Sequence, residues 1–150
     1  MELSGDHSFS VPRERVWRFM LDPETLRQCL PGCEKLDEIG PDEYEATMKI
    51  GIGAIRGVYQ GRVKISNKQE PERYTMLVEG KGPAGNLSGE GTIELVVDGE
   101  TTKVNWSGKA NIRGTLARIG GRVIQPAAKT IVGQFFGCLE SKANQGQGQD

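Results

Sequence analysis

The sequence predicts a single α+β domain. A curved antiparallel sheet of six or seven strands is expected to wrap around a long C-terminal helix, with two short helices after the first strand. Three observations support this prediction. Apolar and polar residues alternate over several segments joined by short turns, which is typical of antiparallel strands. Two segments with helix-start signals follow the first strand, and the C-terminal part of the chain carries apolar residues at three- and four-residue spacing.

The size and composition fit one globular domain. The 150 residues are 36% hydrophobic and 26% charged, which is enough to form a core without a metal or a disulfide framework. Nineteen basic and twenty acidic residues give a formal net charge of −1, which argues against a protein built to coat nucleic acid. The sequence shows neither a signal-peptide pattern nor a spanning apolar stretch, so a cytoplasmic protein is expected.

The strands follow from period-two alternation of side chains. Residues 55–65 are the clearest case, because Ile55, Tyr59 and Val63 share one face and Arg62 lies on the other. The same test predicts further strands at residues 43–52, 72–80, 87–97 and 102–112, and one at the start from Leu3 to Val11. Turn-forming runs separate them, so the sheet is expected to be an antiparallel meander.

Two short helices are predicted after the first strand. Ser10 is expected to cap a helix that opens at Pro12 and continues to Met20. Asp22 is expected to cap a second helix that ends before the Pro31-Gly32 pair.

The last helix is predicted from an apolar stripe wide enough to pack against the sheet. Pro126 removes one backbone donor, so a bend near Arg122 is expected. The composition turns polar from Ser141, which predicts a packed domain over residues 1–140 and a disordered tail over 141–150. The stripe consists of Leu116, Ile119, Val123, Ala127, Ile131, Phe135 and Leu139.

Glycine is unusually frequent, at 21 residues, and several glycines fall at inward positions of the predicted strands. Such positions either let the sheet bend and the helix approach, or leave unfilled volume, and the two interpretations are compatible. The second predicts an apolar ligand cavity with adaptable methionine walls. The inward glycines are Gly57, Gly61, Gly89, Gly91 and Gly108. The residues expected to line the cavity are Met48, Tyr59, Met76, Leu87, Trp106, Ile119, Val123 and Phe135.

The candidate chemical motifs favour structural roles. His7, the single histidine, is predicted to face inward, without a nucleophile elbow and with Asp6 on the opposite face. It is therefore interpreted as a structural residue whose hydrogen-bonding groups have partners, or as a polar anchor at the cavity mouth. No catalytic residue is predicted. The run Gly80–Gly85 matches the spacing of a dinucleotide-binding loop, but a strand pattern follows it, so a plain loop is expected.

The three cysteines predict packing thiols in a reducing compartment. An odd count argues against a disulfide framework, and the spacing of Cys29 and Cys33 departs from a redox CxxC pair. One histidine and the distant Cys138 add too few ligands for a metal site, so none is expected.

Two surface features suggest contact with a partner. The start of the last helix is basic, which usually indicates a solvated face; the alternative is a surface that binds an acidic partner or anionic lipid head groups. The hairpin tip Ile50–Ile55 is apolar and rich in glycine, which suits a lid or a patch that touches a membrane or an enzyme. The basic residues are Arg113, Arg118, Arg122 and Lys129.

Four segments of the chain resemble one known family. They are Leu30–Leu36, Gly53–Gly61, Gly80–Gly85 and the pair Phe135-Phe136, and they span nearly the whole chain up to Leu139. All four are similar to motifs of the carbon monoxide dehydrogenase G-subunit family. That family belongs to the START-like, polyketide-cyclase-like (SRPBCC) superfamily, and the resemblance implies its helix-grip fold.

The resemblance also implies a function. It suggests an accessory protein of a molybdenum hydroxylase such as aerobic carbon monoxide dehydrogenase. Such a protein would bind a quinone or lipid non-covalently in its cavity, carry no covalent cofactor and help couple or recruit the enzyme to the inner face of the cell membrane. Cys33 is a ligand-contacting or surface-contacting residue by family analogy alone. Two alternatives remain: a small-molecule cyclase or hydrolase of the same fold, in which His7 would be the base, and an assembly factor that works through its surface.

Overall fold

One seven-stranded sheet and a C-terminal helix form the body of the protein. The computed structural model describes residues 1–51 and 55–147, with side chains as far as Ala143. The strands are β1 (Glu2–Phe9), β2 (Cys33–Gly40), β3 (Glu43–Ile50), β4 (Gly57–Gln69), β5 (Arg73–Gly82), β6 (Gly85–Asp98) and β7 (Thr101–Arg113). The helices are α1 (Arg13–Leu21), α2 (Pro23–Cys29), α3 (Thr115–Ile119) and α4 (Gly121–Gln147).

The sheet has the strand order β1-β7-β6-β5-β4-β3-β2, and every neighbouring pair is antiparallel. The strands β2 to β7 therefore form a continuous meander, and β1 closes it by pairing with β7. The helices α1 and α2 connect the two edge strands. This arrangement confirms the predicted α+β helix-grip fold, and the strands predicted from the alternation correspond to β1 and β3 to β7.

The strand β2 is the one that the alternation did not locate. It carries charged residues on both faces, and its pairing with β3 is irregular between Cys33 and Lys35 and again between Glu38 and Gly40. Each irregularity shifts the side chains to the other face, so no period of two survives in the sequence.

The two short helices lie where they were predicted, and one of the two caps differs. Asp22 Oδ2 accepts hydrogen bonds from the Thr25 backbone N (3.1 Å) and from Thr25 Oγ1 (2.7 Å), which confirms the predicted cap of α2. The helix α1 begins at Arg13 and has Pro12 at its N-cap, with no side-chain cap, so the cap predicted at Ser10 is wrong.

The predicted C-terminal helix is interrupted at Gly120. This residue has φ +87°, a left-handed conformation that suits glycine, and it separates α3 from α4. Pro126 lies inside α4, so the interruption is not the predicted bend near Arg122. Because the break changes the helical phase, Ile124 is buried where the stripe predicted Val123, whose side chain is 48% exposed.

The helix α4 also occupies most of the segment predicted as a tail. It continues to Gln147, and Ala143 is buried in the core, so the predicted domain boundary at residue 140 falls inside the helix. No helix of the described residues is both long and apolar enough to cross a membrane.

The core fills one half of the concave face of the sheet. There the sheet packs against α1, α2 and the C-terminal half of α4. Phe9 and Phe136 meet edge to face at 6.3 Å between ring centroids, and Trp17 and Tyr74 do so at 5.4 Å. Fully buried members of this core include Val11, Leu95, Val104 and Leu139.

Candidate ligand-binding site

Glycines form the sheet surface in the second half of the concave face. Strand register places Gly108 opposite Gly91, Gly89 opposite Ala110 and Gly61 opposite Gly80, so the glycines cross four strands along a diagonal. Most inward residues of this half are half-buried and Leu87 is exposed, whereas those of the core half are mostly buried. We call this region the glycine groove and define its floor as Gly61, Gly80, Gly89, Gly91 and Gly108.

The glycines of β6 and β7 are required by the curvature of the sheet. A Cβ atom on Gly89 would lie 2.9 Å from the Lys109 carbonyl oxygen, and one on Gly108 would lie 3.2 Å from that of Glu90. A Cβ on Gly91 would lie 3.3 Å from the carbonyl oxygen of Ser107. The backbones approach too closely for a Cβ atom at Gly89 and leave only a tight fit at Gly91 and Gly108, which supports the interpretation of these glycines as bending positions.

The glycines of β4 and β5 leave space instead. A Cβ atom on Gly61 would meet nothing closer than 3.7 Å, and one on Gly80 nothing closer than 3.6 Å. An alanine would therefore fit sterically at either position, so the approach of the neighbouring strands does not demand glycine there. Bending of the sheet, the first interpretation drawn from the sequence, thus applies to the glycines of β6 and β7. Unfilled volume, the second, applies to those of β4 and β5.

The predicted lining residues divide into two groups. Met48, Tyr59, Met76, Trp106, Ile119 and Phe135 are half-buried, and the first four lie on the concave face of the sheet. Met48 pairs with Tyr59 across β3 and β4, whereas Met76, Trp106 and Phe135 pack against the core. Leu87 is 37% exposed and Val123 is 48% exposed. Val123 therefore does not contribute a buried wall, because the break at Gly120 turns it outward.

Two aromatic rings cover glycines on neighbouring strands. The Trp106 indole lies over Gly5 of β1, where a Cβ atom would come within 2.6 Å of the ring. The Tyr59 ring lies over Gly82 of β5 and would clash with a Cβ there. The Tyr59 hydroxyl is buried and has no hydrogen-bond partner among the described residues. Burial raises the pKa of this phenol.

His7 has a partner on the C-terminal helix. Its Nε2 lies 2.7 Å from Glu140 Oε2, and its ring stacks on Phe136 at 5.7 Å between centroids. Asp6 points to the other face, where its Oδ2 lies 4.0 Å from Lys103 Nζ. In the described part of the chain no hydroxyl or thiol hydrogen-bonds to His7, so the contacts fit the predicted structural role of this residue.

The comparison with protein families decides the assignment. The model of the carbon monoxide dehydrogenase G-subunit (CoxG) family matches residues 5–144, which is nearly the whole chain. The chain belongs to the CoxG family. A conserved protein from Geobacillus kaustophilus is 31% identical, with a TM-score of 0.93 over 97% of this chain and 96% of that one. None of the proteins with curated descriptions matches.

More distant solved structures share the fold of this CoxG-family protein. A START superfamily protein from Mycobacterium smegmatis is 13% identical, with a TM-score of 0.73 over 96% of this chain and 97% of that one. The Zhui aromatase/cyclase from Streptomyces sp. R1128 is 12% identical, with a TM-score of 0.71 over 97% of this chain and 94% of that one. These likenesses establish the START-like architecture of the CoxG-family chain.

The cysteine pairing in this CoxG-family member contradicts the prediction of free packing thiols. Cys29 and Cys138 form a disulfide, so they are not the packing thiols that were predicted, and the argument from cysteine count for a reducing compartment fails. The pairing joins residues 109 apart in sequence, and spacing alone carries no signal for it. Cys33 is the free cysteine; it is half-buried, and burial raises the pKa of its thiol. The described residues contain no cluster of His, Cys, Asp or Glu that could hold a metal.

The remaining motifs of the CoxG-family chain lie at one end of the sheet. Gly82 and Gly85 pair on either side of the turn between β5 and β6, so the glycine-rich run forms the end of a β-hairpin, and the strand predicted after it is β6. Ile50 pairs with Gly57 at the same end, and Arg113 pairs with Asn86 there. Arg118 follows on α3 and is exposed, as are Arg113, Arg122 and Lys129. Residues 52–54 of the predicted apolar tip lie outside the described residues.

Sequence reasoning missed three members of this arrangement. Extending the alternation of Tyr74, Met76 and Val78 by two more steps would have placed Gly80 and Gly82 on the concave face. Glu140, the partner of His7, lies outside the predicted apolar stripe, and no sequence signal links the two residues.

Proposed function

We propose that this protein is an accessory protein of a molybdenum hydroxylase related to carbon monoxide dehydrogenase, and that it binds an apolar small molecule such as a quinone in the glycine groove. The name of the family supports the link to that enzyme. No covalent cofactor is part of the proposal, and the ligand is held non-covalently. The protein carries or presents this ligand and breaks no bond in it.

The observation that carries the proposal is that Gly61 and Gly80 are glycine where a Cβ atom would meet only ordinary contacts. Neighbouring backbone does not exclude a Cβ atom at these positions, yet both are glycine. The inward residues around them are half-buried, apart from the exposed Leu87. Methionine and aromatic side chains adjoin these positions, and such walls suit a flat apolar ligand. The buried Tyr59 hydroxyl without a partner also suits a ligand, because a polar group left unpaired there costs free energy.

The partner and membrane contacts are proposed for the end of the sheet that carries Ile50 and Arg113. An apolar hairpin end and exposed arginines lie together there. Arginines near an anionic membrane each contribute about 1 kcal/mol of attraction. We propose that this end docks on the hydroxylase or on the inner face of the cell membrane, which makes the protein cytoplasmic and peripheral.

Replacement of Gly61 by Leu tests the groove. The Cβ atom of the new residue meets no atom closer than 3.7 Å, and the rest of the side chain is expected to fill the floor. Binding of a naphthoquinone probe should therefore weaken about tenfold or more through lost volume. Gly133→Leu is the matched control, since Gly133 is exposed on α4 and nothing lies within 4 Å of an added Cβ. Isothermal titration of both variants measures the difference. Equal binding by Gly61→Leu and the wild type would reject the groove as the site.

The same variants separate the proposal from a surface-only assembly factor. An assembly factor would bind no probe, and Gly61→Leu would still associate with the hydroxylase as the wild type does. For the membrane contact, Arg113→Glu combined with Arg118→Glu should reduce sedimentation with anionic vesicles, whereas Arg62→Glu on β4 should not.

A further inference from the structure

Tyr59 is the one residue of the predicted lining with a buried polar side-chain atom that has no hydrogen-bond partner among the described residues. It lies on β4 between Met48 of β3 and Gly82 of β5, and its ring covers Gly82. The hydroxyl is buried, and no described residue accepts or donates a hydrogen bond to it. Buried phenols normally have a partner, so an orphaned one needs a physical reason.

No described charged side chain forms a hydrogen bond with this hydroxyl. Burial alone raises the pKa of the phenol, and no charged side chain contributes to the shift. The phenol is therefore a neutral donor at neutral pH. An ionised carboxylate on a ligand would have no positively charged partner there. It would also lose its hydration, which costs free energy in an apolar site. A neutral carbonyl oxygen has no such penalty.

We propose that Tyr59 selects the ligand of the glycine groove by donating a hydrogen bond to a neutral carbonyl oxygen on an otherwise apolar molecule. This inference rests on the proposed function, because it requires a ligand in the groove. It adds the class of ligand and the residue that recognises it. Because the hydroxyl is buried in the ligand-free fold, the Tyr59 side chain turns toward the groove when the ligand binds, and the hydroxyl then gains the acceptor that the fold withholds.

Tyr59→Phe tests the inference with two matched probes. One is 2,3-dimethyl-1,4-naphthoquinone, which carries two carbonyls and has both quinone ring positions blocked against addition by the free thiol of Cys33. The other is 2,3-dimethylnaphthalene, which has the same rings and no acceptor. The variant should bind the quinone about threefold to tenfold more weakly, as expected for one lost hydrogen bond, and should bind the hydrocarbon unchanged.

Two further readouts distinguish this role from simple packing. The ligand-free Tyr59→Phe protein should melt no lower than the wild type, because it loses an unsatisfied hydroxyl. The wild type should bind 2-naphthoate more weakly than the quinone. No loss of quinone affinity, or equal losses for the quinone and the hydrocarbon, would overturn the role of the hydroxyl.

Gly61→Leu keeps failure of this inference apart from failure of the proposed function. If that variant weakens both probes while Tyr59→Phe weakens neither, the groove binds ligand and the selective role of Tyr59 is rejected. If Gly61→Leu changes neither probe, or the wild type binds neither, the groove itself is rejected, and the inference falls with it.

Discussion

Cys29, the last residue of α2, is joined by a disulfide to Cys138 on α4, and their Cα atoms lie 5.3 Å apart. This bond fixes the C-terminal helix to the segment that leads into the edge strand β2. The same stretch of α4 carries Phe136 and Leu139 into the core. The bond therefore holds the packed end of the helix, while the glycine groove lies toward the other end.

Loss of the disulfide is expected to destabilise the fold. Cys138→Ser should lower the free energy of unfolding by about 2–4 kcal/mol, because the bond closes a long loop in the unfolded chain. Guanidinium denaturation with and without reductant measures the change. Cys33→Ser is the control and should respond to reductant as the wild type does. A wild type equally stable in both conditions would show that the bond contributes nothing.

The two kinds of glycine in the groove should respond differently to alanine. Gly89→Ala places a Cβ atom 2.9 Å from a backbone oxygen, so it should cost about 1–3 kcal/mol through overpacking. Gly80→Ala meets only ordinary contacts at 3.6 Å and should change stability by less than about 1 kcal/mol in either direction. Urea denaturation of the pair compares them. Similar costs for both would contradict the division into bending and space-leaving positions.

The cap of α2 should contribute measurably to stability. Asp22→Ala removes an acceptor used by both the backbone and the side chain of Thr25, and should cost about 1 kcal/mol. Asp22→Asn keeps an oxygen in place and should retain most of that stability. Thermal unfolding of the two variants tests this, and an alanine variant as stable as the asparagine one would argue against the cap.

Stability should fall at alkaline pH because of Tyr74. Burial raises the pKa of this phenol well above its usual value of about 10. Above about pH 10 the unfolded chain loses the proton while the folded chain keeps it, so the folded state is progressively disfavoured as pH rises. Below that pH both states are protonated and the effect vanishes.

Urea denaturation between about pH 8 and 11 would measure this loss on either side of the usual phenol pKa. Tyr74→Phe keeps the ring against Trp17 and should reduce the fall in the free energy of unfolding as pH rises. Burial also raises the pKa of Tyr44 and Tyr59, so some slope should remain. An unchanged slope in Tyr74→Phe would contradict the assignment.

The fold could be predicted from the sequence because its signals are local. The alternation around Tyr59 and Val63 fixes which face of β4 is buried, and a period of two leaves no ambiguity between faces. The Asp22 cap and the short turns are local as well. The strand β2 was missed for the same reason, because two irregularities in its pairing erased the local pattern.

The candidate site was predicted only in outline. Alternation placed Met48, Tyr59, Met76 and Trp106 on the concave face, as the structure has them. Val123 was placed wrongly, because the stripe assumed one continuous helix and the break at Gly120 changed its phase. A helical period can be extrapolated only while the helix is unbroken.

The sequence by itself determined the faces and the order of β1 and β3 to β7, the two short helices and the resemblance to the CoxG family, all of which depend on neighbours along the chain. The tertiary structure alone decided which glycines bend the sheet and which leave space, since that depends on the distance between β6 and β7. It also decided that Cys29 meets Cys138 and that His7 meets Glu140. Contacts between residues this far apart in the chain depend on how the elements pack, and no local pattern records them.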